Sequence, residues 1–274
     1  RALTATSGGG FDLMTETVSL SGMIEVPFVC VLGQRPGPAT GLPTWTSAGD
    51  LLFAIHAGHG EFARCVLAIS DPESAYQIAE ALYCVANLPD AIPIERSLDV
   101  SPQDRTPSDR YAITKNGVSA RWLPGSSLAT FNMNSDEHTS DGSLTEKSEE
   151  ILPMMEKRVK KLSFLLEELP EPELYGHLDS KTTIVGWGSV KNVVLDAIEL
   201  GAKVRYLHYE YLHPLKTDRF TTISESSDRM ILVEHNQTGQ LGQLLAQHAG
   251  FRFTESLLKF DGSGITVEEI MEML

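Results

Sequence analysis

Val26-Pro27-Phe28-Val29-Cys30-Val31-Leu32 runs directly into Gly33-Gln34-Arg35-Pro36-Gly37-Pro38-Ala39-Thr40-Gly41-Leu42-Pro43-Thr44. The first stretch has the length and composition of a buried strand. The second is a loop shaped by proline and glycine, with a lone arginine at the strand's exit. Ligand sites in open α/β sheets lie outside the carboxyl ends of strands. Proline stiffens such a loop, and glycine lets a ligand come close to the backbone. Arg35 presents there a planar guanidinium suited to a carboxylate or a phosphate. The alternative is an ordinary surface loop with a solvated arginine, since loops collect proline and glycine for turn chemistry alone.

Working outward, the Thr6-Ser7-Gly8-Gly9-Gly10 loop opens a helix over 13–22. A helix is expected over 49–56, with Asp50 in its first turn, and a second apolar strand over 64–69. Asp71-Pro72-Glu73-Ser74 carries the N-cap and proline signals of a helix continuing to Val85. Periodicity then disappears from 89 to 141. A long amphipathic helix is read over 146–168, with Met155, Val159, Leu162 and Leu166 on its buried face and Lys157, Lys160 and Lys161 on a solvated one. Leu169-Pro170-Glu171-Pro172 ends it and opens a linker. A second unit follows: strands at 182–185, 204–208 and 230–233 alternate with helices at 189–200, 239–249 and 267–274. That alternation argues for a small parallel sheet. The expected architecture is α/β with two domains, 1–168 and 177–274.

Composition sets the outer bounds. The chain has 274 residues, 42% hydrophobic, with a formal net charge of −15. That charge disfavours nucleic-acid binding, which needs a basic footprint. No run approaches the ~18 apolar residues of a membrane helix, and no signal-peptide pattern opens the chain. Cys30, Cys65 and Cys84 lie far apart in apolar surroundings and are expected to be buried, in keeping with a reducing, cytoplasmic setting. Without a Cys-x-x-Cys, the chain is expected to hold no iron–sulfur cluster of its own.

Several short motifs invite chemistry and are read more plainly. Gly186-Trp187-Gly188-Ser189-Val190-Lys191 resembles the start of a dinucleotide fingerprint, but Lys191 replaces the third glycine, so a tight strand-to-helix turn is the reading. His56, His59 and Glu61 have loop-like glycines among them rather than the spacing of a metal helix. Asp136-Glu137-His138 is read as a solvated polar cluster. Asp141-Gly142-Ser143 lacks the leading glycine and the downstream asparagines of a diphosphate-binding Gly-Asp-Gly motif. Glu234-His235-Asn236-Gln237-Thr238-Gly239-Gln240-Leu241 leaves a strand and enters a helix, where polar side chains cap the helix or meet a partner.

Taken together and in order, these segments resemble the alpha subunit of 2-oxoacid:ferredoxin oxidoreductases, particularly the 2-oxoglutarate type. The resemblance rests on 5–16, the 34–44 loop and Gly49-Asp50-Leu51-Leu52-Phe53-Ala54-Ile55-His56-Ala57-Gly58-His59-Gly60-Glu61-Phe62. It extends through 110–114, 135–138, 155–158 and 234–241. It implies a pyrimidine-type thiamine-diphosphate-binding domain followed by a transketolase-C-terminal-like domain. It also implies oxidative decarboxylation of a 2-oxoacid to an acyl-CoA with reduction of ferredoxin. A beta subunit, with gamma and delta chains as further candidates, would bring the diphosphate-binding half, Mg2+ and an iron–sulfur cluster; coenzyme A is the co-substrate. Arg35 would pair with the substrate carboxylate, Thr40 and Thr44 would shape its pocket, and Ser7, Gly8 and Gly9 would line the cofactor cleft. The family's Tyr-Pro-Ile-Thr segment and activating glutamate find no counterpart here, so no catalytic residue is assigned. The start at Arg1 and the missing strand after Val85 suggest that segments lie outside this sequence. A non-catalytic scaffold that keeps the fold is the alternative function. 2-Oxoglutarate is the substrate suggested by the form of the arginine loop, with pyruvate and branched-chain oxoacids still open.

Overall fold

The computed structural model describes residues 2–83, 105–122 and 129–274. The expected helix end at Val85, Cys84, and the 89–104 and 123–128 parts of the aperiodic stretch lie outside the described residues. In chain order the elements are β1 (Ala2–Ser7), α1 (Gly8–Asp12), α2 (Thr15–Met23), β2 (Phe28–Gly33), α3 (Leu51–His56), β3 (Val66–Leu67) and α4 (Pro72–Tyr83). A 3-10 turn over Pro107–Tyr111 precedes α5 (Ser148–Glu168). Then come β4 (Glu173–Gly176), β5 (Thr182–Trp187), α6 (Val190–Glu199), β6 (Arg205–Tyr209), β7 (Tyr211–His213), α7 (Asp218–Glu225), β8 (Arg229–Glu234), α8 (Gln240–Ala249), β9 (Glu255–Leu258) and α9 (Val267–Met273).

β1 and β2 pair in parallel, with Ser7 opposite Gly33. Thr6 and Ser7 therefore belong to a strand, and Gly8 to Gly10 to a short helix, rather than to the loop expected from their composition. Pairing with β2 supplies the order that the weakly patterned Ala2–Ser7 lacks by itself. β2 is half buried, not fully buried. Phe28, Cys30 and Leu32 pack with Phe11, Val18 and Ala57, while Val31 points away and is 44% exposed. The two-stranded sheet has packing on one face, so period-2 alternation decides exposure.

The second sheet has the order β4-β6-β5-β8-β9, with β4 antiparallel and the other pairs parallel. The core on one of its faces contains Val185, Trp187, Leu207, Leu241 and Leu245, and also Leu51 and Ile55 of α3. Phe53 of the same helix packs into the first core. Leu51-Leu52-Phe53-Ala54-Ile55 is apolar all round, which is how a helix wedged between two cores reads. β3 adds an antiparallel pairing to β7.

α5 departs in part from its expected orientation: Lys160 is exposed and Leu162 and Leu166 are half buried, as expected, but the first half of the helix differs. Met155 and Val159 are exposed, whereas Lys157 and Arg158 are buried. Lys157 Nζ donates to Glu25 Oε1 at 2.9 Å and to the Tyr111 carbonyl at 3.1 Å. Lys161 also pairs with Glu25, and Arg158 with Glu137. Buried charges cost several kcal/mol each unless paired, so these acids decide which helical face turns inward. Burial pushes the Glu25 carboxyl up, but Lys161 and Lys157 outweigh it and hold it below its ordinary value. Of the Asp136-Glu137-His138 cluster, expected to be solvated, Asp136 is exposed and Glu137 half buried. His138 is fully buried and packs against Tyr111 with ring centroids 4.1 Å apart and the rings tilted by 45°. Cys30 is half buried, and Cys65 is exposed as a residue although burial pushes its thiol up to about 12.

Candidate functional site

The parallel register that sets Ser7 against Gly33 brings two chain segments out at one end of the first sheet. One is the Ser7-Gly8-Gly9 turn into α1; the other is Gln34-Arg35. A third joins them through Asp50, whose N–H donates to Gln34 Oε1 at 2.8 Å. The Asp50 carboxyl lies against Gly8, where an added Cβ would come within 2.9 Å of Asp50 Oδ2. Burial pushes the Asp50 carboxyl up from its ordinary value.

Arg35 is half buried, and its Nε is buried without a hydrogen-bond partner among the described residues. A buried donor left unmade costs about 1–3 kcal/mol, and an anionic acceptor relieves that cost. The loop holding it closes on itself where the Leu42 N–H donates to the Pro36 carbonyl at 3.0 Å. Gly41 makes that closure sterically possible. Its φ is +52°, and a Cβ there would lie 1.7 Å from the Pro36 oxygen. Thr40 and Thr44 are exposed on the same loop, and no hydrogen bond ties their hydroxyls to Arg35. Ser7 and Gly8 are half buried and Gly9 is exposed. A Cβ on Gly9 would meet nothing within 4 Å. Packing within the chain therefore places no demand for glycine at that position.

The Glu234 to Leu241 stretch both caps a helix and meets another segment. Glu234 is fully buried. Its Oε2 accepts from Trp187 Nε1 at 2.9 Å, Asn236 Nδ2 at 2.7 Å and Leu241 N at 3.2 Å, and its Oε1 accepts from Gly242 N at 3.2 Å. Beyond it, Gln240 Nε2 donates to the Gly49 carbonyl at 2.6 Å, and Gln240 Oε1 accepts from Leu52 N at 3.0 Å. Residue types alone suggested contact at this motif; its partner, 188 residues away for the Leu52 bond, carried no sequence signal.

The motifs set aside as chemistry have local duties. Gly188 adopts φ +59° in the β5–α6 turn, and Lys191 pairs with Asp71 and Glu173 at 3.7 and 3.8 Å. Asp141 accepts from Thr139 Oγ1 and from Ser143 N in a turn. No group of three or more metal-ligating side chains forms among the described residues.

Residues 1–95 match the family described as "Pyruvate flavodoxin/ferredoxin oxidoreductase, thiamine diP-bdg". The chain is 35% identical, over 99% of its length, to the alpha subunit of 2-oxoacid:ferredoxin oxidoreductase 1 from Aeropyrum pernix, of which it covers 47%. It is also 35% identical, over 99% of its length, to the 2-oxoacid:ferredoxin oxidoreductase alpha subunit of Saccharolobus solfataricus, of which it covers 48%. The chain thus spans about half the length of these curated relatives. Its fold is that of 2-oxoglutarate:ferredoxin oxidoreductase from Magnetococcus marinus, solved with 2-oxoglutarate, coenzyme A and succinyl-CoA bound. The TM-score is 0.82 at 24% identity, covering 98% of this chain and 52% of that one.

Proposed function

We propose that this chain, which belongs to the 2-oxoacid:ferredoxin oxidoreductase alpha subunits, forms one wall of the cleft in which a 2-oxoacid is oxidatively decarboxylated. The products in this reading are an acyl-CoA and reduced ferredoxin. The observation that carries it is that the Ser7-Gly8-Gly9 turn and Arg35 leave paired strands at the same end of the first sheet, with the Arg35 Nε buried and unpartnered among the described residues.

The site's chemistry fits the groups this reading requires. Arg35 supplies charge-assisted hydrogen bonds to a substrate carboxylate, and Thr40 and Thr44 flank the route to it. The open side of Gly9 and the half-buried Ser7-Gly8 backbone suit the close approach of a flat ring. Thiamine diphosphate, when bound, supplies the electron sink that decarboxylation needs. The Asp50 N–H holds the side chain of Gln34, the neighbour of Arg35, without touching the reacting atoms. Mg2+, the diphosphate site and an iron–sulfur cluster are assigned to a beta subunit. 2-Oxoglutarate is the preferred substrate in this reading, in line with the ligand of the solved relative. A cytoplasmic setting accords with the free cysteines Cys30 and Cys65, and no helix among the described residues is long and apolar enough to cross a membrane.

The test is Arg35→Ala in the full-length chain assembled with its beta subunit, assayed with a 2-oxoacid panel and a viologen acceptor. Hydrogen bonds to charged groups are worth about 1.5–3 kcal/mol. The expected rise in KM for the preferred 2-oxoacid is therefore about 10- to 150-fold, with thiamine diphosphate affinity little changed. An active variant with unaltered KM ends the assignment of Arg35.

A further inference from the structure

In the second sheet β5 connects to β6 on one side, and the chain then crosses to β8 on the other. The carboxyl ends of β5 and β8 therefore flank the switch point where open α/β sheets place a ligand. Here that crevice is closed. Trp187, at the end of β5, donates to Glu234, at the end of β8. Residues 46–52 lie over both. The Ala48 N–H donates to the His235 carbonyl at 2.7 Å, and Asn236 Nδ2 to the Ala48 carbonyl at 3.3 Å. Gln240 grips the next turn through Gly49 O and Leu52 N. Nearby, the Thr46 N–H donates to the Gly262 carbonyl at 3.0 Å.

The two Gln240 contacts straddle Asp50. Asp50 in turn holds Gln34, the neighbour of Arg35, through its N–H. We infer that the ligand crevice of the second sheet has become a joint, and that Gln240, assisted by Asn236, is a positioning residue that sets the Arg35 loop for its anionic ligand. The inference deepens the functional reading above and rests on it for the identity of that ligand. Gln240 makes no contact with Arg35 itself; it acts through Gly49, Asp50 and Gln34.

The experiment compares Gln240→Met and Gln240→Glu with the parent in the assembled full-length complex. Methionine keeps the length of the side chain and removes both hydrogen bonds; glutamate keeps the acceptor for Leu52. For Gln240→Met the expected result is a KM for the 2-oxoacid raised about tenfold, with kcat within about twofold. Amide exchange should quicken at Asp50 and Leu52, and also at Leu42, whose N–H closes the arginine loop. Amides of β5 and β8 should be unchanged, and Gln240→Glu, which keeps the Leu52 bond but sets a carboxylate oxygen against the Gly49 carbonyl, should recover the slow exchange at Leu52 and no more than part of the KM. Unchanged KM with faster exchange at Leu52 would overturn the inference, because the joint would not reach Arg35. Equal acceleration through β5 and β8 would overturn it in favour of a purely structural role. No change in either quantity would show that Gln240 does not hold the segment. Should the parent complex turn over no 2-oxoacid, the functional reading fails separately. The exchange at Leu42 then decides the coupling alone: faster in Gln240→Met upholds it, unchanged refutes it.

Discussion

Replacing Glu234 tests whether the joint is held by one buried carboxylate. Its two oxygens take four donors: three converge on Oε2 and one, the Gly242 N–H, reaches Oε1. In Glu234→Gln the amide oxygen stays where three donors converge. The amide nitrogen then faces the Gly242 N–H, so one bond is lost and donor meets donor. Leaving one buried donor unmade costs about 1–3 kcal/mol. In Glu234→Ala all four donors lose their acceptor. Even at about 1 kcal/mol each this reaches about 4 kcal/mol, a large share of the about 5–15 kcal/mol that holds a typical domain. At the same cost per donor the pair is therefore expected to separate by at least about 3 kcal/mol. Urea unfolding at pH 7, followed by far-UV circular dichroism and tryptophan fluorescence with m held common, measures both. Burial raises the Glu234 pKa above its ordinary 4.5. The native state thus binds more protons than the unfolded state above that pH, and the parent should lose stability as pH rises through the window. Glu234→Gln, always neutral, should lack that slope. Equal damage from glutamine and alanine, or an alanine variant within about 0.5 kcal/mol of the parent, would refute the four-donor account.

Two further outcomes follow from particular positions. Gly41→Ala should displace the arginine loop, because a Cβ at φ +52° would strike the Pro36 carbonyl. KM for the 2-oxoacid should rise while the urea midpoint hardly moves, the loop being exposed, and an unchanged KM would contradict the loop's role. Burial, then the Lys191 charge, pulls the His208 pKa from 6.5 to about 3. The unfolded state therefore binds the extra proton, and stability should fall as pH drops from about 6.5 toward about 3 at up to about 1.4 kcal/mol per pH unit. His208→Asn should flatten that loss in urea titrations at pH 7 and 4.5, and an identical drop in the variant would remove His208 as its source.

What the sequence determined by itself was local. The 26–44 stretch announced a strand followed by a rigid, glycine-opened loop, because apolar length, proline and glycine act within a few residues of where they stand. The βα alternation after 182 was legible for the same reason, as were the Asp71 cap and the Gly188 turn. The tertiary structure decided what depends on partners distant in the chain. Lys157 and Arg158 turn inward on α5 because Glu25 and Glu137 await them, and hydrophobic periodicity carries no information about counter-charges. The β5–β8 crevice is a joint rather than a ligand site because Gly49 and Leu52 reach Gln240 there. Pattern within a window fixes which groups a segment offers. Only the packing of distant segments fixes which of those groups remain unpaired, and so able to bind.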